Sequence, residues 1–338
     1  MNPPPTWTLT QADHLEMAQR WRHHHAAWGG GMALDLYLRR EESLNAGELC
    51  RQALRMWLLK DASGAVLASC ETYAARLWYG QAEGDLCGLK LETIASVLVE
   101  PRLRQQGFAS ALLSALAARL RQEEVAAAAL YSDVGPGLYR RAGFLLHPAR
   151  QSEREPDAET WPDDAEELVL AHVADLLQTE TELAPTRLAS TSAPAVVEVA
   201  SAARIAWFHA RSQYRAWARG QQHSELIGAR GPDGGYVLWA SESPEPALHA
   251  LLWRPRTAND AAVLATAALA HTRELGLRRA IWWDADRDTG LDTFRQPHLQ
   301  PPGCTHRTRT SSLPMLAWLD ATRPMPLVWS AIERAGWS

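Results

Sequence analysis

Lysine is nearly missing from this chain. Lys60 and Lys90 are the only two, and arginine supplies the rest of the 34 basic side chains. Against 39 acidic residues they leave a formal charge of -5, without the basic excess a nucleic-acid binder uses to neutralise phosphates. Cysteine is scarce as well: Cys50, Cys70, Cys87 and Cys304 form no Cys-x-x-Cys pair, so neither a zinc knuckle nor a disulfide framework is expected, and the thiols read as reduced. No apolar run reaches the roughly 18 residues of a membrane span. The opening Met-Asn-Pro-Pro-Pro lacks the basic and apolar regions of a signal peptide. These absences predict a cytoplasmic protein with neither membrane nor nucleic acid as a partner. No metal site is expected either, because His23, His24 and His25 occupy consecutive helical positions about 100° apart and cannot converge on one ion.

What is present is a chain of 338 residues, 46% hydrophobic, long enough for two domains of roughly 100 to 200 residues each. Its 15 tryptophans read as core and interface filling, since each adds a large apolar area. The pattern predicts a helix over 15–28, stopped by Gly29, Gly30 and Gly31, and a second over 39–54. Strands follow over 56–60 and 65–77, with Asp61-Ala62-Ser63-Gly64 as the turn of a hairpin, and another over 89–99, ended by Pro101. A helix carrying Leu112, Leu113, Leu116 and Leu120 on one face leads to an apolar strand over 126–131, so this strand-helix-strand unit implies a parallel pair.

Between 151 and 167 eight acidic residues stand against one basic, which reads as a linker, with 168–171 a candidate to return to the first sheet. After it the order repeats: a helix over 196–219, strands over 226–230, 236–241 and 248–254, a helix over 261–275 capped by Gly276, and a strand over 279–284. In the helix over 196–219, Trp207, Phe208, Tyr214 and Trp217 give an apolar face that reads as packing against a sheet.

Chemistry concentrates at the end of the third strand. Val97, Leu98 and Val99 run into Arg104, Gln105, Gln106, Gly107, Phe108, Ala109 and Ser110, so a turn of backbone N–H groups stands at the head of a helix, where free donors and the helix dipole favour a pyrophosphate. Arg104 adds a forked positive charge, while Gly107 and Ala109 let a ligand approach the backbone.

Arg104-x-x-Gly107-x-Ala109 after this strand end resembles the acetyl-CoA motif of the GNAT superfamily of N-acetyltransferases, and Leu130 through Phe144, with Tyr139-x-x-x-Gly143-Phe144, resembles that superfamily's next strand and helix end. Ser132-Asp133-Val134-Gly135, the Ile94-Ala95-Ser96-Val97 strand and the Trp-rich closing segment also resemble fungal L-lysine N6-acetyltransferases. The resemblance implies an α/β (α+β) fold: a GNAT-type mixed, twisted sheet flanked by helices in a catalytic domain over 1–150, an acidic linker and connecting helix over 151–185, and a second GNAT-like lobe over 186–338. That lobe has Arg256-Thr257-Ala258-Asn259-Asp260 where the pyrophosphate turn would fall; Asp260 would repel a phosphate, so it is expected not to bind CoA.

The implied activity is transfer of an acetyl group from acetyl-CoA to a primary amine of a small molecule, L-lysine or a related amine, by a monomer or homodimer. An amine of pKa about 10.4 faces a handicap of about 4.6 kcal/mol at pH 7 before it is neutral. Glu92 and Asp133 are the candidates for base or amine anchor. Strict alternation puts Glu92 on the face opposite Thr93, Ala95, Val97 and Val99, unless a bulge near 94–96 intervenes. The resemblance assigns Tyr139 to protonating the CoA thiolate, and Val97 or Leu98 is expected to give an N–H to the oxyanion. Asp284 or Asp286 could meet a cationic substrate between the lobes. A different class of function stays open: a catalytically silent acyl-CoA sensor, in which the same turn binds CoA and the amine site is lost.

Overall fold

The computed structural model describes residues 7–80, 86–157, 160–188, 193–221, 223–241, 246–284, 299–326, 328–330 and 332–337. The chain opens with β1 (Trp7–Gln11) and three helices, α1 (His14–Trp28), α2 (Leu34–Asn45) and α3 (Glu48–Ala53). The single helix expected over 39–54 is thus two, because Gly47 turns to an extended backbone (ψ 161°) ahead of α3. The hairpin follows as β2 (Leu54–Asp61) and β3 (Val66–Gly80), its turn tied by Asp61 Oδ1, which accepts from the N–H of Ser63 (2.8 Å) and of Ala65 (3.0 Å). Next come β4 (Leu86–Val99), α4 (Phe108–Gln122) and β5 (Ala127–Ser132), with β4 and β5 parallel as the crossover requires. Short α5 (Gly137–Arg141) and β6 (Leu145–Leu146) end this half.

The remaining elements are β7 (Arg150–Arg154), β8 (Glu166–Leu168), α6 (Val173–Leu188), β9 (Ala195–Glu198), α7 (Ala202–Ala218), β10 (Gly228–Arg230), β11 (Tyr236–Ala240), β12 (Ala247–Arg254), α8 (Ala258–Glu274), β13 (Arg279–Asp284), β14 (Thr305–Thr308), β15 (Leu313–Trp318) and β16 (Val328–Ser330). Among the described residues they make two mixed sheets. One follows the order β1-β2-β3-β4-β5-β15-β6, with β9 pairing β3 and β16 pairing β9; the other follows β14-β7-β13-β12-β11-β10-β8.

The two sheets exchange strands. After β6 the chain leaves the first sheet, and β7 inserts antiparallel between β13 and β14 of the second. After β14 it returns, and β15 inserts antiparallel between β5 and β6. The two-lobe arrangement therefore holds, but its strands cross the boundaries read from composition. The linker expected over 151–167 contains two strands of the second sheet, because part of its acidic run pairs charges there: Glu153 meets Arg307 at 2.9 Å and Arg279 at 3.7 Å. The segment 168–171 does not return to the first sheet, since Leu168 pairs with Gly228 of the second. The helix expected over 196–219 gives its first residues to β9 and begins only after Ser201, whose hydroxyl accepts the Arg204 N–H.

Helix α4 covers one face of the first sheet, burying Leu112, Leu113, Leu116 and Leu120 against Trp57, Cys70, Ile94 and Leu130. Helix α8 likewise covers the second sheet. Between the sheets lies a shared core in which α3, α6 and α7 join Tyr73 and Ala95 of the first to Leu238 and Leu252 of the second. Trp207 and Phe208 of α7 are buried in it, whereas Trp217 is exposed. No described helix is long and apolar enough to cross a membrane.

Candidate active site

The site begins where two parallel strands part. β4 and β5 are paired from Leu91 and Ala127 to Ile94 and Leu130, yet β4 runs on to Val99 and β5 to Ser132. Beyond Ile94 the β5-facing edge of β4 is open. The register with β3 slips at the same place: Glu71 lies opposite Ala95 and Ser69 opposite Leu98, so two residues of β4 face one of β3. Ser96 takes up this bulge at φ 53°, a left-handed conformation costing about 1–2 kcal/mol for a residue with a Cβ. The bulge anticipated near 94–96 is present.

A cavity of about 580 Å³ opens at the split. Val97, Leu98 and Val99 of β4 line it together with Arg104, Ala109, Asp133 and Tyr139. Gln105, Gln106, Gly107, Phe108 and Ser110 lie on the adjoining turn and the first turn of α4 without lining the cavity. Gln105 (φ 64°) and Gly107 (φ 89°) coil this turn, and Gly107 brings no capping side chain to the head of α4. An open strand edge, an uncapped helix N-terminus and Arg104 thus lie in sequence along one cleft. That donor set fits the amides and pyrophosphate of a CoA.

Glu92 lies elsewhere. Only 4% exposed, it does not line the cavity; it pairs with Arg55 at 2.6 Å, which also pairs with Glu123 at 2.7 Å. Burial pushes its carboxyl up while Arg55 opposes the shift. The bulge begins after Glu92 in β4 and so does not rotate it into the site. Asp133 does line the cavity, but one oxygen is already committed, accepting from the N–H (2.7 Å) and hydroxyl (3.1 Å) of Ser312 at the crossing into β15. Tyr139 is 7% exposed, packs edge to face on Phe144 at 6.1 Å, and has its phenol pushed up to about 12, by burial first.

Two further carboxylates line the cavity, Glu41 of α2 and Glu71 of β3, neither of them among the sequence candidates; Glu71 is the one beside the bulge. It is 6% exposed, accepts the Ser96 hydroxyl at 2.8 Å and lies 3.9 Å from Nδ1 of His24. Burial pushes its carboxyl up to about 7, and the negative charge of Glu41 adds to the shift. Burial and then Arg20 hold the His24 imidazole down at about 3, so it is neutral beside Glu71. The available signal was that Glu71 is the single acidic residue of β3.

A second cavity of about 780 Å³ shares Asp133, Arg211 and Trp337 with the first and extends between the sheets. Arg211, Arg215, Arg219, Arg307, Arg309 and Arg334 line it, and among the described residues Asp133 is its single acid. Asp286 and the side chain of Asp284 lie outside the described residues.

Solved structures of related shape lie at low identity. The GCN5-related N-acetyltransferase from Kribbella flavida is 16% identical with a TM-score of 0.59, over 94% of this chain and 72% of that one. A probable N-acyltransferase from Enterococcus faecalis is 14% identical with a TM-score of 0.58, over 93% and 73%. Eis1 from Mycobacterium abscessus is 15% identical with a TM-score of 0.51, over 93% and 74%. These likenesses speak for the fold. No curated protein matches the sequence. The family described as LYC1 GNAT-like C-terminal domain matches residues 149–338, more than half of the chain. With its split parallel pair, central bulge and second lobe of the same topology, the chain belongs to the GNAT superfamily, in this LYC1 GNAT-like family.

Proposed function

We propose that this protein is an N-acetyltransferase that moves the acetyl group of acetyl-CoA to the side-chain amine of a free amino acid, L-lysine being the first candidate. The observation that carries the reading is the convergence of the open β4 edge, Glu71 and Tyr139 on one cavity. Acetyl-CoA lies with its pyrophosphate at the head of α4 beside Arg104 and its pantetheine arm along 95–99. Glu71, poised near neutrality, takes a proton from the incoming ammonium. The free amine attacks the thioester carbon, and a backbone N–H of Val97 or Leu98 meets the oxyanion. As the intermediate collapses, the C–S bond breaks and the nitrogen gives up its second proton to solvent, leaving the neutral amide.

Tyr139 faces the leaving sulfur, but a phenol near 12 gives its proton to a thiolate of conjugate-acid pKa about 8.5 only uphill, by about 4.8 kcal/mol. Its role is therefore to donate a hydrogen bond as the C–S bond lengthens; the thiolate ends protonated at the expense of the proton the amine gave up, relayed through solvent. The arginine-lined second cavity supports an acceptor carrying a carboxylate.

The test is a set of transfer assays with acetyl-CoA and L-lysine, L-ornithine or 1,5-diaminopentane, which is lysine without its carboxylate. Transfer to the amino acids at kcat/KM at least tenfold above the diamine supports the reading. Equal transfer to all three contradicts the amino-acid acceptor, and CoA binding without any transfer favours the sensor.

A further inference from the structure

The second lobe repeats the split strand pair of the first. β12 and β13 pair only from Ala247 and Arg279 to His249 and Ile281, while β12 continues to Arg254, and it too is bulged, its register with β11 slipping between Leu238 and Trp239. In the first lobe this opening is a cavity. In the second the chain's own carboxylates stand at both positions that would serve a cofactor.

At the head of α8, where a pyrophosphate would lie, Asp260 is fully buried and accepts from the backbone N–H of Gly235 (2.9 Å), Asp233 (3.0 Å) and Arg256 (3.0 Å). A Cβ at Gly235 would come within 2.4 Å of Oδ2 of Asp260, so the turn is shaped around this carboxylate. Along the strand edge, where a pantetheine arm would lie, Glu333 accepts the Trp253 N–H at 3.4 Å and meets the Arg254 guanidinium with both oxygens, the Nη2 to Oε2 distance being 2.7 Å. Glu333 satisfies a donor that the split leaves exposed, and Asp260 satisfies three in the turns around the head of α8.

From Glu333 one tight turn carries the chain into the neighbouring site. The N–H of Gly336 returns to the carbonyl of Glu333 (3.2 Å) and that of Trp337 to Arg334 (3.0 Å), while Tyr131 of the first lobe donates to the Glu333 carbonyl at 3.4 Å. A Cβ at Gly336 would come within 2.4 Å of the Glu198 carboxylate and 2.8 Å of the Tyr131 hydroxyl. Trp337 is then held between two guanidiniums, Arg334 at 3.9 Å and Arg211 at 5.4 Å from its ring, with Phe208 tilted against it at 6.3 Å. It lines both cavities.

We infer that the second lobe's cofactor cleft serves as an internal dock for residues 332–337, and that docking through Glu333 sets Trp337 as a wall of the acceptor chamber. Trp337 is a specificity-determining residue and Glu333 a positioning residue. The role given to Trp337 rests on the proposed acetyl transfer; the dock itself does not.

Two measurements test it. Amide hydrogen exchange on the full chain reads the dock: the N–H groups of Trp253, Gly336 and Trp337 are protected in the wild type and lose protection at least tenfold in Glu333→Gln. Unprotected amides in the wild type, or unchanged protection in the variant, overturn the dock. Steady-state kinetics reads the wall: Glu333→Gln and Trp337→Ala each raise the acceptor KM at least fivefold while the Kd for CoA stays within twofold. The double variant is no worse than Trp337→Ala alone, because both changes remove the same wall. An unchanged acceptor KM in Trp337→Ala, or effects that multiply, overturn the coupling. Should Glu333→Gln fail to fold with Arg254 unpaired from it, the charge-balanced Arg254→Gln/Glu333→Gln variant is measured under the same criteria. A wild type that transfers acetyl to no amine overturns the wall and leaves the exchange data to judge the dock.

Discussion

Ser96 donates its hydroxyl to Glu71 across 2.8 Å, and the two residues face each other over the one place where β4 carries an extra residue against β3. The bulge thus holds Ser96 at a left-handed backbone, where its hydroxyl meets Glu71, and opens the β4 edge at the cavity that Glu71 lines. A carboxyl that burial has raised to about 7 is half ionised near neutral pH, which suits a group that must take a proton from an ammonium and later release it.

Replacing Glu71 by Gln is expected to lower kcat/KM by about 10²- to 10⁴-fold, the usual range for a lost general base. The pH profile carries the sign. Glu71 acts as a base only when ionised, so wild-type kcat/KM rises with pH and levels off above about 7, and this limb is absent from Glu71→Gln. Initial rates between pH 5.5 and 8.5 check both statements.

Tyr139→Phe removes one hydrogen bond to a developing thiolate, worth about 1.5–3 kcal/mol when the acceptor is charged, or about 10- to 100-fold in kcat. The Kd for CoA, measured by calorimetry, is expected to stay within twofold. A turnover equal to that of the wild type removes Tyr139 from the chemistry.

Glu92→Gln separates the two acidic residues. Glu92 serves the fold through Arg55, so kcat and KM are expected to stay within twofold of the wild type. Thermal or denaturant unfolding is expected to show a loss of about 1–3 kcal/mol for the broken charged hydrogen bond.

Arg104→Ala is expected to weaken CoA binding about tenfold or more, equivalent to about 1.4 kcal/mol, while Asp260→Ala leaves CoA affinity unchanged and lowers stability by orphaning three backbone N–H groups. Calorimetric titration reads both, and it is expected to return one CoA per chain. A stoichiometry of two would place a cofactor in the second lobe and contradict its filled cleft.

Much of this was legible from local pattern. The turn from Arg104 to Ala109, the amphipathic α4 and the apolar β5 announce themselves by spacing, and each occupies its expected place. What periodicity does not carry is the partner of a strand. Arg150–Arg154 and Leu313–Trp318 belong to sheets far away in sequence, so the exchange of β7 and β15 was invisible until the pairing was known. The same limit applies to the acidic candidates: alternation on an isolated strand cannot tell which face meets a cavity, and of Glu92 and Asp133, named together as base or amine anchor, Asp133 lines the cavity and Glu92 does not, whereas Glu71 reaches it through the register of β3 against β4. The late start of α7 was readable in principle from Ser201, a good N-cap ahead of an alanine-rich run.

The most direct test is a single-turnover reaction of wild type and Glu71→Gln with acetyl-CoA and L-lysine, following thiol release and product mass together. The wild type is expected to release one thiol per acetyl-lysine formed, with the rate at least 100-fold lower in Glu71→Gln and CoA binding retained. Equal rates in the two proteins, or a wild type that neither binds CoA nor acetylates any amine, would contradict this expectation.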